Sequence, residues 1–450
     1  MRFSHAWLFL VSFVTLCGCG TSFSGQQVPA HWSTGFWFWD GSEFTGQWNH
    51  EPLDVVYVQT GTISHEMNRW NVYGQLPGKL PPAREYWAVF RYEHQGVPDV
   101  QTAKMVADKV LEIQDNGVMR HLRIAGVQLD IDSPTGALNQ YASYIRELRK
   151  ELPERLPLSV TALLDWFRDG TDVAAVIKEV DEFVPQFYDV ESGGAAIAAK
   201  IDAGQWGPAF NRFGKRFRVG VSSFGRARMV PREPNPETGR RAAMAFYNDL
   251  APIDLATNPA FQLQASRNQA NELVLDYRAV RKVHVGYNQF DVGDAVEFVM
   301  ATPEMVRSAV ASVRKMGGQA AGVVFFRWPS SNEALALDPR EVLAAAGVKT
   351  TFSEAQNRIE VIDGQCSAVA CVDVFLNVAR PFAAQPTRYD IRSSTELEYF
   401  LPQENMPIRM TGSSRLELAL PAYAGRQRLY LGRAVSLRHS DFAVEEEQSK

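Results

Sequence analysis

What most constrains this chain is a series of eight short apolar runs separated by stretches with helical periodicity or by loops. They are TGFWFW (34–39), DVVYVQ (54–59), EYWAVFRY (85–92), GVQLDID (126–132), PLSVTALL (157–164), EFVPQFYD (182–189), FRVGVSS (217–223) and GVVFFRW (322–328). Most are continuously apolar, as in parallel strands covered on both faces. After the fourth run, Leu138, Tyr141, Ile145, Leu148 and Leu152 form one apolar stripe at helical spacing, with Arg146, Glu147, Arg149 and Lys150 off it. Asp99 is placed to cap a helix over 100–114, and further helices are expected over 172–180 and 194–201. Eight strands alternating with helices over this length predict an α/β fold, a (β/α)8 TIM barrel. An open doubly wound sheet is the alternative, but no glycine-rich phosphate loop follows the first strand.

The pattern breaks in two places. The gap between the seventh and eighth runs is long, and ELVLDYRAVRKVHVGY (272–287) within it reads as a small hairpin in an α+β insertion over about 224–300. From residue 349 to about 440 the sequence alternates without long helices, through NRIEVID, CVDVFLNVA, TRYDIR, ELEYFL, RLELAL and RQRLYLG. That predicts a smaller all-β, sandwich-like C-terminal domain, followed by a tail over 441–450. The barrel then occupies 33–348. The chain is 46% hydrophobic and 22% charged with a net charge of −5, which supports a large core and gives no footing for nucleic-acid binding.

At the N-terminus, Arg2 precedes an apolar run over 6–16 that is too short for a membrane span and fits a secretory signal. It ends in Leu16-Cys17-Gly18-Cys19, which resembles a bacterial lipobox; the small Gly18 before Cys19 makes Cys19 the expected lipidation site. A signal peptide over 1–18 and a flexible tether over 19–32 follow, with the protein anchored by its lipid in the bacterial cell envelope. The periplasmic face is expected, and Gly20 favours the outer membrane over the inner. The alternative is a plain signal peptide. The other two cysteines, Cys366 and Cys371, can close a small disulfide loop in an exported protein or remain free thiols. No cysteine or histidine spacing suits a metal, and no cofactor is expected.

The fourth run carries the chemistry. Side chains alternate along a strand, so Val127, Leu129 and Ile131 pack under helices while Gln128, Asp130 and Asp132 face the barrel axis. Active sites of such barrels lie at the C-terminal ends of the strands. Asp132 therefore belongs at the rim, with Asp130 one step below. The structural alternative has Asp132 capping the helix that follows and Asp130 paired with a neighbour such as Arg91. Asp165 and Asp40 are weaker candidates, and His65, His94 and His121 are scattered.

The stretch Ala125-Gly126-Val127-Gln128-Leu129-Asp130-Ile131-Asp132 resembles the fourth strand of chitinase-type glycoside hydrolases, Asp-Gly-x-Asp-x-Asp-x-Glu. Gly126 and Asp130 are retained, Ala125 and Gln128 replace aspartates, and Asp132 stands where that class has its acid. Gln186-Phe187-Tyr188-Asp189 resembles its Met-x-Tyr-Asp, and Trp328 its sugar-flooring tryptophan. The lipobox, GVQLDID, LSVTALLDW and the β-rich C-terminus also resemble a family of bacterial lipoproteins with a domain of unknown function, grouped with the glycoside-hydrolase barrels.

These resemblances imply a membrane-anchored protein acting on a polysaccharide or cell-wall glycan. Asp132 is then the general acid, Asp130 the neighbouring carboxylate that raises its proton affinity, and Tyr188 a hydrogen-bonding partner of the reacting sugar. Gln128, Asp189, Trp328, Trp166 and Trp39 are the implied substrate-binding residues. Asp is a methylene shorter than Glu and Gln128 cannot exchange a proton, so a glycan-binding protein without catalysis stays open. So does a barrel scaffold that docks a protein partner.

Overall fold

The computed structural model describes residues 32–447 apart from 45–47, 49–50, 93, 95, 189–197, 231–243, 247–249, 269–270, 331–332, 349–355, 365–369, 380–382 and 425–427. Eight strands form the barrel: β1 (Ser33–Phe38), β2 (Leu53–Glu66), β3 (Ala83–Tyr92), β4 (Ile124–Asp130), β5 (Leu158–Ala162), β6 (Glu182–Pro185), β7 (Arg216–Ser222) and β8 (Ala320–Phe326). Each pairs in parallel with its neighbours, and β1 pairs with both β2 and β8, so the ring is closed. All eight strands coincide with the eight apolar runs of the sequence, and closure removes the open-sheet alternative.

The outward alternates Val56, Val58, Phe90, Val127, Leu129, Val160, Phe183 and Phe325 join the helices in one large core. The helix Leu138–Glu151 buries Leu138, Tyr141, Ala142, Tyr144, Ile145 and Leu148 there, while Arg149 and Lys150 sit in its last turn, where the helix dipole favours cations. The inward alternates Trp37, Val55, Tyr57, Trp87, Val89, Val184, Val324 and Phe326 form a second core along the axis. Gly126 is inward too, because a Cβ there would lie 2.6 Å from the Trp87 ring.

The helical layer departs from the expected pattern. Helices Thr102–Met119, Leu138–Glu151, Val173–Lys178, Ala203–Asn211, Pro303–Lys315 and Pro339–Ala345 follow β3 to β8. After β2 the chain instead turns back at Met67 and Asn68, both at positive φ, into the antiparallel strand Arg69–Gly74. Asn adopts that conformation readily, and two such residues make the turn that suits a tight hairpin. The helix after β6 begins at Ala203, capped by Asp202; of the range expected as a helix, 198–201 is not helical and 194–197 lies outside the described residues.

The insertion is larger than a hairpin. Strands Met244–Phe246, Arg226–Val230, Ala295–Met300, Leu273–Ala279 and Phe261–Arg267, in that spatial order, make an antiparallel sheet, with a small hairpin of Val283–Val285 and Asn288–Phe290 beside it. Phe261–Arg267 is an edge strand with every residue after Phe261 exposed, so the alternation of Phe261, Leu263 and Ala265 marks no buried face. Residues 358–447 form two four-stranded antiparallel sheets that enclose a core including Val374, Leu376, Ile391, Leu416, Leu418 and Leu431, joined by Ala251 and Ile253 of the insertion. Cys371 is disulfide-bonded; Cys366, Cys19 and Asp189 lie outside the described residues.

Candidate functional site at the C-terminal mouth of the barrel

The axis of the barrel is filled by polar layers separated by aromatic ones. At the N-terminal end, Glu182 at the start of β6 pairs with Arg218 of β7, both 3% exposed, at 2.6 Å. Tyr57 donates to Glu182 at 2.5 Å and accepts from Arg218 at 2.7 Å, and Arg218 also donates to the Ser33 hydroxyl at 2.7 Å. This buried network was missed at the level of sequence: Glu182 opens an apolar strand and Arg218 sits in another, and neither strand signals its partner.

One layer up, the Trp37 indole N–H donates to Gln128 Oε1 at 2.8 Å, and Gln128 Nε2 donates to Ser159 Oγ at 3.2 Å. Gln128 is wholly buried. The expectation that it binds substrate is therefore corrected: it braces the packed interior and presents no surface to a ligand.

Above this plug, at the C-terminal mouth of the barrel, the side chains are polar and only partly buried. Asp130, the last residue of β4, is half-buried and accepts from Thr161 Oγ1 at 2.8 Å and from Gln186 Nε2 at 3.4 Å. Arg91 is its partner in register on β3. Asp132, two residues on, is exposed, while its neighbours Ile131 and Ser133 are buried. Those two buried neighbours turn the Asp132 side chain to solvent. The helix that follows, Leu138–Glu151, has no side-chain cap at its N-terminal residue Ala137.

Tyr188 completes the mouth. Its ring stacks on Phe326 at 4.6 Å and meets Trp37 edge-on at 5.7 Å. Gly220 makes the seat, since a Cβ there would lie 3.0 Å from both the Tyr188 and Trp37 rings. Burial first, and then the charges of Asp130 and Asp132, push the Tyr188 phenol well above its ordinary pKa, against a hydrogen bond from Gln186 and the charge of Arg91. Tyr188 is therefore a neutral hydroxyl, a standing donor beside two carboxyl groups. Tyr141, buried behind the strand, is pushed up by burial and then chiefly by Asp130.

The tryptophans divide. Trp39 is half-buried beside Phe326, with the Arg91 guanidinium 5.9 Å from its ring. Trp166 is wholly buried and its indole N–H donates to the Ser133 carbonyl at 2.7 Å, so it braces the turn that carries Asp132. Trp328 is 5% exposed among Phe36, Phe44 and Trp48, with its indole N–H on the Glu43 carbonyl. The expectation that Trp166 and Trp328 stack on sugar is thus corrected, because both belong to the outer core. The inward aromatic at the end of β8 is Phe326, which the sequence reading passed over for a larger ring two residues on. Among the described residues no three His, Cys, Asp or Glu side chains group as metal ligands, and no helix is long and apolar enough to cross a membrane.

Residues 83–244, which take in β3 to β7, match the model of a domain of unknown function, DUF3142. No curated protein sequence matches the chain. Among solved structures, the Bacillus cereus spore cortex-lytic enzyme SleL is similar at 11% identity and a TM-score of 0.44, covering 70% of this chain and 74% of its own. A Group IV chitinase of Ostrinia furnacalis is similar at 12% identity and a TM-score of 0.44, covering 70% and 98%. A GH18 chitinase of Cycas revoluta in complex with (GlcNAc)3 is similar at 14% identity and a TM-score of 0.38, covering 66% and 92%.

Proposed function

We propose that the protein acts as a glycoside hydrolase on a bacterial polysaccharide or cell-wall glycan, from the periplasmic face of the envelope, tethered by a lipid on Cys19. The observation that carries this reading is the placement of Asp132. It is an exposed carboxyl group at the C-terminal rim, held out by buried neighbours, above a second carboxylate and beside a neutral tyrosine.

In this reading Asp132 gives its proton to the glycosidic oxygen as the bond from that oxygen to the anomeric carbon breaks. With an N-acetylated sugar, the acetamido carbonyl oxygen attacks the anomeric carbon and takes the place of a second carboxylate, a recognised exception to the two-carboxylate scheme. Asp130, fixed by its donors, faces the positive charge that develops. The Tyr188 hydroxyl hydrogen-bonds the reacting sugar. Asp132 then takes a proton from the water that opens the cyclic intermediate, which restores the acid.

The test is Asp132→Asn in the purified soluble protein, screened against cell-wall and exopolysaccharide fragments for binding and cleavage. The variant keeps its melting temperature and loses cleavage by at least about a hundredfold, the scale of a general acid. A melting temperature that collapses instead makes Asp132 structural. Gln128 favours a second reading, since the residue below the acids is an amide, committed to Trp37 and Ser159, that cannot relay a proton. A wild type that binds glycan without cleaving it, and an Asp132→Asn variant that binds equally well, would establish a glycan-binding protein.

A further inference from the structure

The outer face of the C-terminal sandwich carries a second arrangement of rings and charges. One of its sheets runs, in spatial order, Arg358–Asp363, Ala370–Asn377, Arg428–Ser436 and Leu397–Pro402. Val374, Leu376, Leu429 and Leu431 point into the sandwich core, so the residues alternating with them point outward. On that outer face the Phe375 and Tyr430 rings, opposite in register, lie 5.0 Å apart. Phe400 packs toward the core, so its neighbours Tyr399 and Leu401 share the outer face, where they are 54% and 60% exposed. Leu401 stands opposite Arg433 in register.

Two ion pairs frame these side chains. Arg433 donates to Asp373 through Nε at 2.8 Å and Nη2 at 2.9 Å, and the Tyr430 hydroxyl donates to the same carboxylate at 2.9 Å. Arg428 donates to Glu360 through Nε and Nη2, both at 3.0 Å, and its guanidinium lies 3.8 Å from the centre of the Phe375 ring. Each pair uses one edge of a planar guanidinium, so Nη1 of each arginine is turned away from its carboxylate. The two guanidiniums and two carboxylates cancel in charge and leave fixed N–H donors between exposed rings.

We propose that this face is a second glycan-binding surface, one that takes a neutral stretch of polysaccharide. A sugar ring has C–H faces that pack on aromatic rings and hydroxyl edges that meet fixed donors and acceptors. The cancelled charges argue against nucleic acid and anionic lipid, which need uncompensated cations. Four apolar side chains divided by two ion pairs also fall short of a stable protein interface, which takes about 20–30 residues a side. Ala251 and Ile253 of the insertion join the core beneath this sheet, so the surface is tied to the barrel. The proposal rests on the reading of the barrel for its class of ligand, and it uses none of the residues of the mouth.

The test takes the purified soluble protein, barrel and sandwich together, and two insoluble probes, peptidoglycan sacculi and bacterial cellulose. The wild type is retained on at least one of them. Raising the salt from about 50 mM to about 500 mM leaves retention unchanged, because no net charge is there to be screened. Tyr399→Ala keeps the melting temperature and weakens retention about tenfold, the scale of one lost stacking contact. Tyr399→Ala/Leu401→Ser weakens it further. Tyr287→Ala, at a fully exposed tyrosine in the turn of the insertion hairpin, binds as the wild type does. Retention that depends on Tyr399 in a protein that cleaves nothing supports this surface and removes the hydrolase reading alone. Retention on neither probe overturns the proposal, as does equal retention of the wild type and the double variant, or loss of retention at high salt. A wild type that sediments as a dimer beside a monomeric double variant also overturns it, since the face is then a contact between copies.

Discussion

Replacing Glu182 by glutamine tests whether the ion pair at the base of the barrel anchors the closure of the sheet. The pair joins β6 to β7, and through Tyr57 and Ser33 it reaches β2 and β1. Burial opposes the Arg218 cation, and the Glu182 carboxylate more than offsets it, so the guanidinium stays charged. Glu182→Gln keeps the shape and removes the countercharge. Arg218 is then left as a buried cation facing the Ser33 and Tyr57 hydroxyls and an amide. Breaking a buried pair in this way costs about 3–5 kcal/mol. At roughly 2 °C per kcal/mol for a domain of this size, the melting temperature falls by about 6–10 °C.

The double variant Glu182→Gln/Arg218→Met has no stranded charge. It should be more stable than the sum of the two single losses by about 2 kcal/mol or more. Urea unfolding followed by near-ultraviolet circular dichroism on all four proteins gives the cycle. A Glu182→Gln loss below about 1 kcal/mol, or double-variant losses that merely add, would refute the claim that this pair is a desolvated, mutually dependent anchor.

Three further outcomes follow from the same structure. Tyr57 and Tyr141 have phenols held well above their ordinary pKa by burial. Below pH ~10 both phenols are protonated in the folded and unfolded states alike; above it the unfolded chain loses protons that the fold retains, so stability falls as pH rises, by up to about 1.4 kcal/mol per pH unit for each. Urea midpoints measured against pH, with phenolate absorbance appearing only as the protein unfolds, check this; phenolate absorbance of these two tyrosines in folded protein would contradict it. Gly220→Ala places a methyl group 3.0 Å from the Tyr188 and Trp37 rings, and over-packing of this kind costs about 1–3 kcal/mol; a loss of stability together with weakened glycan binding is expected, and an unaltered urea midpoint counts against the seat. Mass spectrometry of the mature N-terminus should find a lipidated Cys19, and an unmodified N-terminus downstream of it excludes the anchor.

Much of this molecule is written in local pattern. The eight apolar runs point to eight strands, because short continuous runs rich in β-branched and aromatic residues suit a sheet covered on both faces. The alternation in GVQLDID determines that Gln128 and Asp130 share the inner face, since the pleat has a period of two. The stripe from Leu138 to Leu148 determines a helix and its buried side. The hairpin after β2 lacks the usual Asn-Gly in its turn, and the edge strand Phe261–Arg267 shows only a short alternation whose Leu263 and Ala265 stay exposed.

Tertiary structure alone decided which inward or aromatic residues stay reachable. Gln128 and Asp130 face the same axis, yet Trp37 from β1 and Ser159 from β5 close over the first, while the second lies above that plug. Trp166 and Trp328 follow strand ends, as Trp39 does, but the paths of their loops turn them into the outer core. Glu182 and Arg218 become partners only when β6 meets β7. Alternation along a strand is a local consequence of backbone geometry, and it belongs to the sequence. Depth along a barrel axis is set by the stagger and closure of strands far apart in the chain, and only the assembled fold fixes it.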